Sequence, residues 1–166
     1  MTTVIRARRD VNGYYNLEDV INWFLSKDSM SPKKLQKLLY YAYSWTLTLQ
    51  NEDVDDLGNK LFASKFEAWV HGPVIPSVYQ DYREYGYQNI PQKTENEIIF
   101  DDEIEDVLQQ VWEEYGDYTG NQLETITHQE DPWLNAREGY SPVERCNVPI
   151  TDKDIFEYYI QQVEYE

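Results

Sequence analysis

The chain has 166 residues, a length typical of one domain, and 41% of them are hydrophobic, enough for one substantial core. Its formal net charge of −17 is uneven, because residues 1–50 hold seven basic and four acidic side chains, whereas residues 51–166 hold seven and 27. The excess negative charge of residues 51–166 repels phosphates, which disfavours direct nucleic-acid binding. The same charge attracts a partner with a basic face. Solubility alone would also explain the charge.

Cysteine content and hydropathy bear on the compartment. The single cysteine, Cys146, cannot form an internal disulfide, which fits a reducing environment. No apolar run approaches the roughly 20 residues that a membrane helix needs. The arginines of the N-terminus are not followed by the apolar segment of a secretory signal. We therefore expect a cytoplasmic protein that does not engage membranes.

The first half of the chain predicts a basic arm and two helices. Residues 1–15 form the arm, and Asn16 can cap a helix over 17–26. The pair Ser31-Pro32 combines a capping hydroxyl with a proline at the first helical position. The helix that follows, to about residue 49, has apolar residues at three-four spacing, and we expect it at the centre of the domain. The polar, acidic segment 51–60 predicts a loop.

The second half predicts one small β-pair and several further helices. Residues 66–70 favour a short strand, with 98–100 as its partner strand, and Gly72-Pro73 breaks the chain between them. Asp101 and Thr151 can each cap a helix. Helices are predicted at 76–85, 102–115, 120–128, 131–137 and from 151 onwards. Six or seven helices with at most one small β-pair predict a mainly α fold class, a compact single-domain helical bundle.

Groups that could carry catalysis are scarce. A Cys146–His128 dyad is conceivable, but nothing beside Cys146 indicates a nucleophile turn. Residues 128–131 (HQED) could offer metal ligands, yet the spacing matches no HExxH or CxxC pair. No glycine-rich phosphate loop is present in the sequence. We predict no catalytic residue, no metal and no cofactor, and therefore no enzyme.

Two segments, 66–74 and 127–137, each place a histidine and a tryptophan beside a proline break. In the structural interpretation, Trp69 and Trp133 are mostly buried and the histidines bond the backbone at turns. In the same interpretation, Arg137 forms an ion pair with an acidic side chain and so stabilises the arrangement. We favour this interpretation over direct catalysis.

These segments carry a resemblance to a known family. The runs 35–42 (LQKLLYYA), 67–74 (EAWVHGPV), 78–79, 82–86 (YREYG), 127–128, 132–133 and 136–137, in this order and spacing, resemble the Panacea or SocA-type antitoxin domain, which phage-associated proteins also carry. The likeness spans about residues 31–137. We expect one domain over 1–166, with the arm and first helix at 1–30, the family core at 31–137, and a loop and C-terminal helix at 138–166.

The resemblance implies a protein partner rather than a substrate. Panacea antitoxins neutralise unrelated toxins, and one member hands its toxin to a cytosolic protease, so the expected partners are a cognate toxin and that kind of protease. The family-motif residues hold the fold or contact the partner: Trp69, His71, Gly72, Pro73, Tyr79, Arg83, Tyr85, Thr127, His128, Pro132, Trp133 and Arg137. The alternative is a phage-encoded acidic inhibitor that mimics nucleic acid.

Aromatic side chains are the expected anchors of the partner. Tyrosine and tryptophan dominate interface hot spots, whereas rim charges mainly speed the encounter. The helices at 33–49 and 76–85 carry several tyrosines. Candidates for exposed anchors on them are Tyr40, Tyr41 and Tyr82.

Overall fold

The computed structural model describes residues 2–163. Over these residues it contains seven α-helices, two 3-10 helices and two sheets of two strands each. The α-helices are α1 (Leu17–Lys27), α2 (Pro32–Leu49), α3 (Pro76–Tyr82), α4 (Asp102–Tyr115), α5 (Gly120–Thr127), α6 (Asp131–Ala136) and α7 (Asp152–Tyr159). The prediction of a mainly α fold is confirmed. None of the helices in this described part of the chain has the length and apolar character to cross a membrane.

Capping residues set the helix starts. The side chains of Asn16, Ser31, Asp101 and Thr151 accept hydrogen bonds from backbone N–H groups in the first turns of α1, α2, α4 and α7. Each supplies an acceptor to a donor that the helix itself leaves unpaired. The predicted starts of these helices are therefore confirmed.

Helix α2 lies at the centre of the fold, as predicted. It packs against α1, α3, α4, α5 and α7, so almost its whole circumference is covered. The fully buried apolar side chains along it include Leu35, Leu38, Leu39 and Leu47. Over residues 35–44, where every side chain is buried, the helix presents no solvent face for a partner.

The strands differ from the prediction in two ways. Strand β2 (Glu67–Trp69) pairs antiparallel with β3 (Gly72–Val74) in a tight hairpin, not with residues 98–100. Strand β4 (Asn96–Ile99) instead pairs parallel with β1 (Thr3–Arg6), which was expected to be part of an arm. The expectation of at most one β-pair is therefore wrong. The parallel pair joins residues about 90 positions apart, a contact that no local pattern encodes.

Candidate functional site

Side chains of α6 and of its C-terminal cap residue hold the β2–β3 hairpin by hydrogen bonds to the hairpin backbone. The indole Nε1 of Trp133 donates to the carbonyl oxygen of Trp69 at 2.8 Å, and Arg137 Nη1 donates to the carbonyl oxygen of Ala68 at 2.8 Å. The other guanidinium nitrogen of Arg137 donates to the backbone carbonyls of Ser141 and Glu144. Arg137 therefore pairs with backbone carbonyls and not with an acid, which corrects the prediction. A fork of fixed donors suits several carbonyls at once.

Aromatic and cationic groups stack in the same anchor. The rings of His128 and Trp133 are stacked with centroids 4.0 Å apart, and the Arg137 guanidinium carbon lies 5.0 Å from the Trp133 ring centroid. Burial lowers the pKa of His128, although the nearby Glu124 opposes this, so the imidazole is neutral at neutral pH. The Nε2 atom of His128 is buried and has no hydrogen-bond partner among residues 2–163.

Gly72 sits where the hairpin meets α2 and α5. Its φ of +106° is a conformation that side chains disfavour. A Cβ there would lie 2.6 Å from Lys37 Cε and 3.0 Å from Thr127 Oγ1. The hairpin backbone can approach these two residues only because position 72 has no side chain. This is a physical reason for the glycine of the motif.

Lys37, in the middle of α2, is only 1% exposed. Its Nζ donates to the carbonyl oxygen of Pro73 at 3.2 Å. The pKa of Lys37 is lowered to about 7, chiefly by burial and also by the charge of Lys33, while Glu124 opposes the shift. A buried amine without a carboxylate at contact distance loses its proton far more easily than a lysine in water.

The outer face of the hairpin is accessible, and we call Glu67, Trp69, His71, Tyr79 and Glu124 the hairpin surface. The Trp69 and Tyr79 rings meet edge to face, with centroids 5.1 Å apart. Tyr79 is 44% exposed, His71 is exposed and Trp69 is partly exposed. The prediction that Trp69 is mostly buried is therefore only partly right, whereas burial of Trp133 is confirmed.

Charged and polar side chains belong to the same surface as the Trp69–Tyr79 pair. Glu124 Oε1 lies 2.7 Å from Lys33 Nζ and 3.1 Å from His71 Nδ1. Burial alone would raise the pKa of Glu124, but the bonds to Lys33 and His71 outweigh it and lower that pKa. The result is a surface with exposed aromatic area beside fixed polar groups, which is the composition of a protein-binding patch.

Of the proposed anchors, Tyr40 and Tyr41 are fully buried, so the expectation that they are exposed is wrong. Because α2 is covered over residues 35–44, their hydroxyls find partners inside: the Tyr41 hydroxyl donates to Glu130, and the Tyr40 hydroxyl lies 3.5 Å from that of Tyr159. Tyr82 is half-buried, and burial with nearby acids raises its pKa to about 12.

The remaining motif residues divide between interior and surface. Pro73, Thr127 and Pro132 are buried with the anchor. Arg83 is exposed and Tyr85 is half-buried beside Tyr82. Position in the motif therefore does not by itself distinguish a partner contact from a structural role.

Three residues of the site, Gln36, Lys37 and Glu124, were not among the predicted site residues. The Gln36 side chain both accepts from the Ile75 N–H at 2.9 Å and donates to the Ile75 carbonyl at 3.1 Å. A signal for Gln36 and Lys37 was present, since both stand inside a run of core leucines and tyrosines. Glu124 lies on a short polar helix and has no such signal.

No arrangement typical of catalysis is present in the described part of the chain. Cys146 is buried, and within residues 2–163 no hydrogen bond joins it to His128. Those residues also contain no cluster of three or more His, Cys, Asp or Glu that could hold a metal ion. The geometry around the hairpin instead fits a surface that binds another molecule.

Substitution of Gly72 by alanine should lower the stability of the protein by roughly 2–4 kcal/mol, from backbone strain together with the clash against Lys37. Gly139→Ala is the matched control, because Gly139 has a φ of +88° but open space around its Cβ position. We expect the control to cost only about 1 kcal/mol. Chemical denaturation of both variants measures the difference, and equal losses would contradict the close packing of the hairpin on Lys37.

Comparison with known proteins yields one match. A sequence model of the family described as "Antitoxin SocA-like, Panacea domain" matches residues 35–134, which include most of α2, the hairpin, α3, α4, α5 and the start of α6. No curated protein and no solved structure matches the chain.

Proposed function

Because this chain belongs to the family of SocA-like antitoxins with a Panacea domain, we propose that it is an antitoxin-type binding protein that neutralises a partner toxin by direct contact. The observation that carries the proposal is the hairpin surface. There the family-matched segment places a partly exposed tryptophan and an exposed tyrosine side by side on a rigid support. Such aromatic pairs are typical centres of protein interfaces.

The partner should carry a basic face. The net charge of −17 would speed its encounter with such a partner, while the aromatic pair would supply most of the affinity. We include the whole chain in the binding domain, because α1 and α7 both pack on α2, the first helix of the matched segment. The scarcity of catalytic groups in the sequence supports a role without enzymatic activity.

The double variant Trp69→Ala/Tyr79→Ala is expected to weaken binding to the toxin encoded by the neighbouring gene by roughly 30-fold or more, since one hot-spot aromatic contributes about 2 kcal/mol or more and the contributions of neighbouring hot spots are not additive. Isothermal titration calorimetry on purified proteins measures this. Tyr87→Ala, at an almost fully exposed tyrosine outside the hairpin surface, should change the affinity less than twofold. Equal affinities of the double variant and the wild type would refute the hairpin surface as the contact.

Neutralisation could proceed by blocking the toxin or by delivering it to a cytosolic protease. The two routes differ in the fate of the toxin. Delivery shortens the lifetime of the toxin in cells that express the antitoxin, whereas blocking leaves it unchanged. A pulse-chase measurement of the toxin therefore separates them.

A second candidate function is that of an acidic inhibitor that mimics nucleic acid. The observation that favours it is the charge of residues 51–166, which hold 27 acidic and seven basic side chains. Such a protein would compete with DNA for a basic cleft. Failure to bind any neighbouring gene product, together with displacement of DNA from a host protein, would favour this function over the antitoxin.

A further inference from the structure

A second surface feature lies apart from the hairpin surface and shares no residue with it. It is an open cavity of about 710 Å³ between α2, α4, α7 and the 3-10 helix Ile160–Gln162. Its lining combines aromatic rings, carboxylates and aliphatic side chains. We call it the aromatic-acidic pocket, and its key lining residues are Trp45, Glu114, Tyr115, Glu130, Tyr158 and Tyr159.

The aromatic walls of the pocket meet at steep angles. The Tyr158 and Tyr159 rings are 5.0 Å apart at 87°, and the Trp45 and Tyr159 rings are 5.3 Å apart at 57°. The Trp45 indole N–H donates to the Tyr115 hydroxyl at 3.2 Å, which ties two walls together. Trp45, Tyr115 and Tyr158 are partly exposed along this lining, and an aromatic ring attracts a cation that reaches its face, whereas Tyr159 is almost fully buried.

Glu130 is the most buried of the carboxylates that line this pocket. Its Oε1 accepts hydrogen bonds from the Tyr41 hydroxyl at 2.9 Å and the Tyr159 hydroxyl at 2.8 Å. Among residues 2–163, no donor is bonded to its second oxygen, Oε2. Burial raises the pKa of Glu130, against the effect of the two tyrosine hydroxyls. A carboxylate fixed by two bonds and partly removed from water gains from a cation at its remaining oxygen.

Among residues 2–163, the lining of the pocket adds further negative charge and no positive charge. Glu113 and Glu114 contribute to its lining, and none of its lining residues is a lysine, arginine or histidine. The protein therefore offers no internal counter-charge of its own among these residues. A cationic ligand would complement this charge.

We propose that the aromatic-acidic pocket binds the guanidinium group of an arginine side chain presented by a basic partner protein. A guanidinium stacks on aromatic rings while it donates to a carboxylate, and it is less strongly hydrated than an ammonium group. Arginine is also enriched at protein interfaces, whereas lysine is depleted. That the arginine belongs to a toxin rests on the proposed function, but binding of the guanidinium does not.

The test uses the full chain and small probes in place of the partner. N-acetyl-arginine amide is titrated into ¹⁵N-labelled protein, with N-acetyl-citrulline amide as the uncharged analogue of nearly the same shape. We expect the arginine probe to shift the indole N–H resonance of Trp45 and to bind roughly tenfold more tightly than the citrulline probe. Equal binding of both probes, or no shift at Trp45, would overturn the proposal.

Three variants test whether the arginine probe binds in the aromatic-acidic pocket. Glu130→Gln keeps an acceptor for both tyrosine hydroxyls but removes the negative charge. It should lower the affinity for the arginine probe roughly fivefold or more. Glu114→Gln removes a negative charge at the exposed rim of the pocket without risk to the fold. It should lower the affinity for the arginine probe about twofold. The control Glu103→Gln, an exposed glutamate in the first turn of α4, should leave binding unchanged. Arginine binding that all three variants leave unaltered would overturn the proposal, and it would do so whether or not the protein binds a toxin.

Discussion

Replacement of Trp133 by alanine is expected to lower the free energy of unfolding by about 3–5 kcal/mol, the range for large buried aromatics. The side chain is 5% exposed, stacks on His128, and donates the hydrogen bond that holds the carbonyl of Trp69. Its removal leaves a cavity under the hairpin and an unpaired carbonyl at once.

Urea denaturation of the variant measures this loss, and a neighbour on the same helix provides the control. Leu134 is 44% exposed, so Leu134→Ala should cost about 1 kcal/mol or less. The loss of stability in Trp133→Phe should lie between those of Trp133→Ala and Leu134→Ala, because phenylalanine keeps part of the packing but lacks the indole N–H. A Trp133→Ala variant as stable as Leu134→Ala would contradict the role of α6 as the support of the hairpin.

The stability of the wild-type protein is expected to rise between pH 7 and pH 9 by up to about 1.4 kcal/mol per pH unit because of Lys37. The folded-state pKa of this lysine is lowered to about 7, whereas the pKa of a lysine in the unfolded chain is near the ordinary value of 10.5. Between these values the unfolded state binds the extra proton, so a higher pH favours folding. The buried tyrosines do not interfere in this window, since their pKa values are raised above the ordinary 10.0 and act only at higher pH.

Lys37→Met should remove this slope and make the protein more stable at pH 7, on the order of 2 kcal/mol, because methionine fills a similar volume without a charge. Thermal unfolding over pH 7–9 measures both effects. Lys153→Met is the control at an exposed lysine of α7, and it should keep the wild-type slope. Parallel pH profiles of Lys37→Met and the wild type would show that Lys37 does not titrate with folding.

Local signals predicted the helical part of the fold well. Each predicted start at Asn16, Ser31, Asp101 and Thr151 is a helix start in the structure, because a cap depends on one side chain and the next three backbone groups. The apolar spacing of α2 likewise identified it as the central helix. The motif segments at 66–74 and 127–137 pointed to the two pieces that together build the hairpin and its support.

The candidate site was less predictable, and the tyrosines of α2 explain why. The sequence offered Tyr40 and Tyr41 as amphipathic side chains, and a tyrosine hydroxyl suits either solvent or a buried partner equally well. Only the packing decides, and here the partners of those hydroxyls are Tyr159, 119 positions from Tyr40, and Glu130, 89 positions from Tyr41. Arg137 is a similar case, because its partners are backbone carbonyls that have no sequence signature.

By itself, the sequence determined the mainly α class, the helix starts, the central helix and the family to which the chain belongs, since these depend on local spacing and on motifs read along the chain. The tertiary structure alone decided that β1 pairs with β4, that Lys37 is buried under Gly72, and that four aromatic rings meet around Glu130. Each of these arrangements joins residues far apart in the sequence. Their free energy arises from burial and close contact, which exist only once the chain has folded.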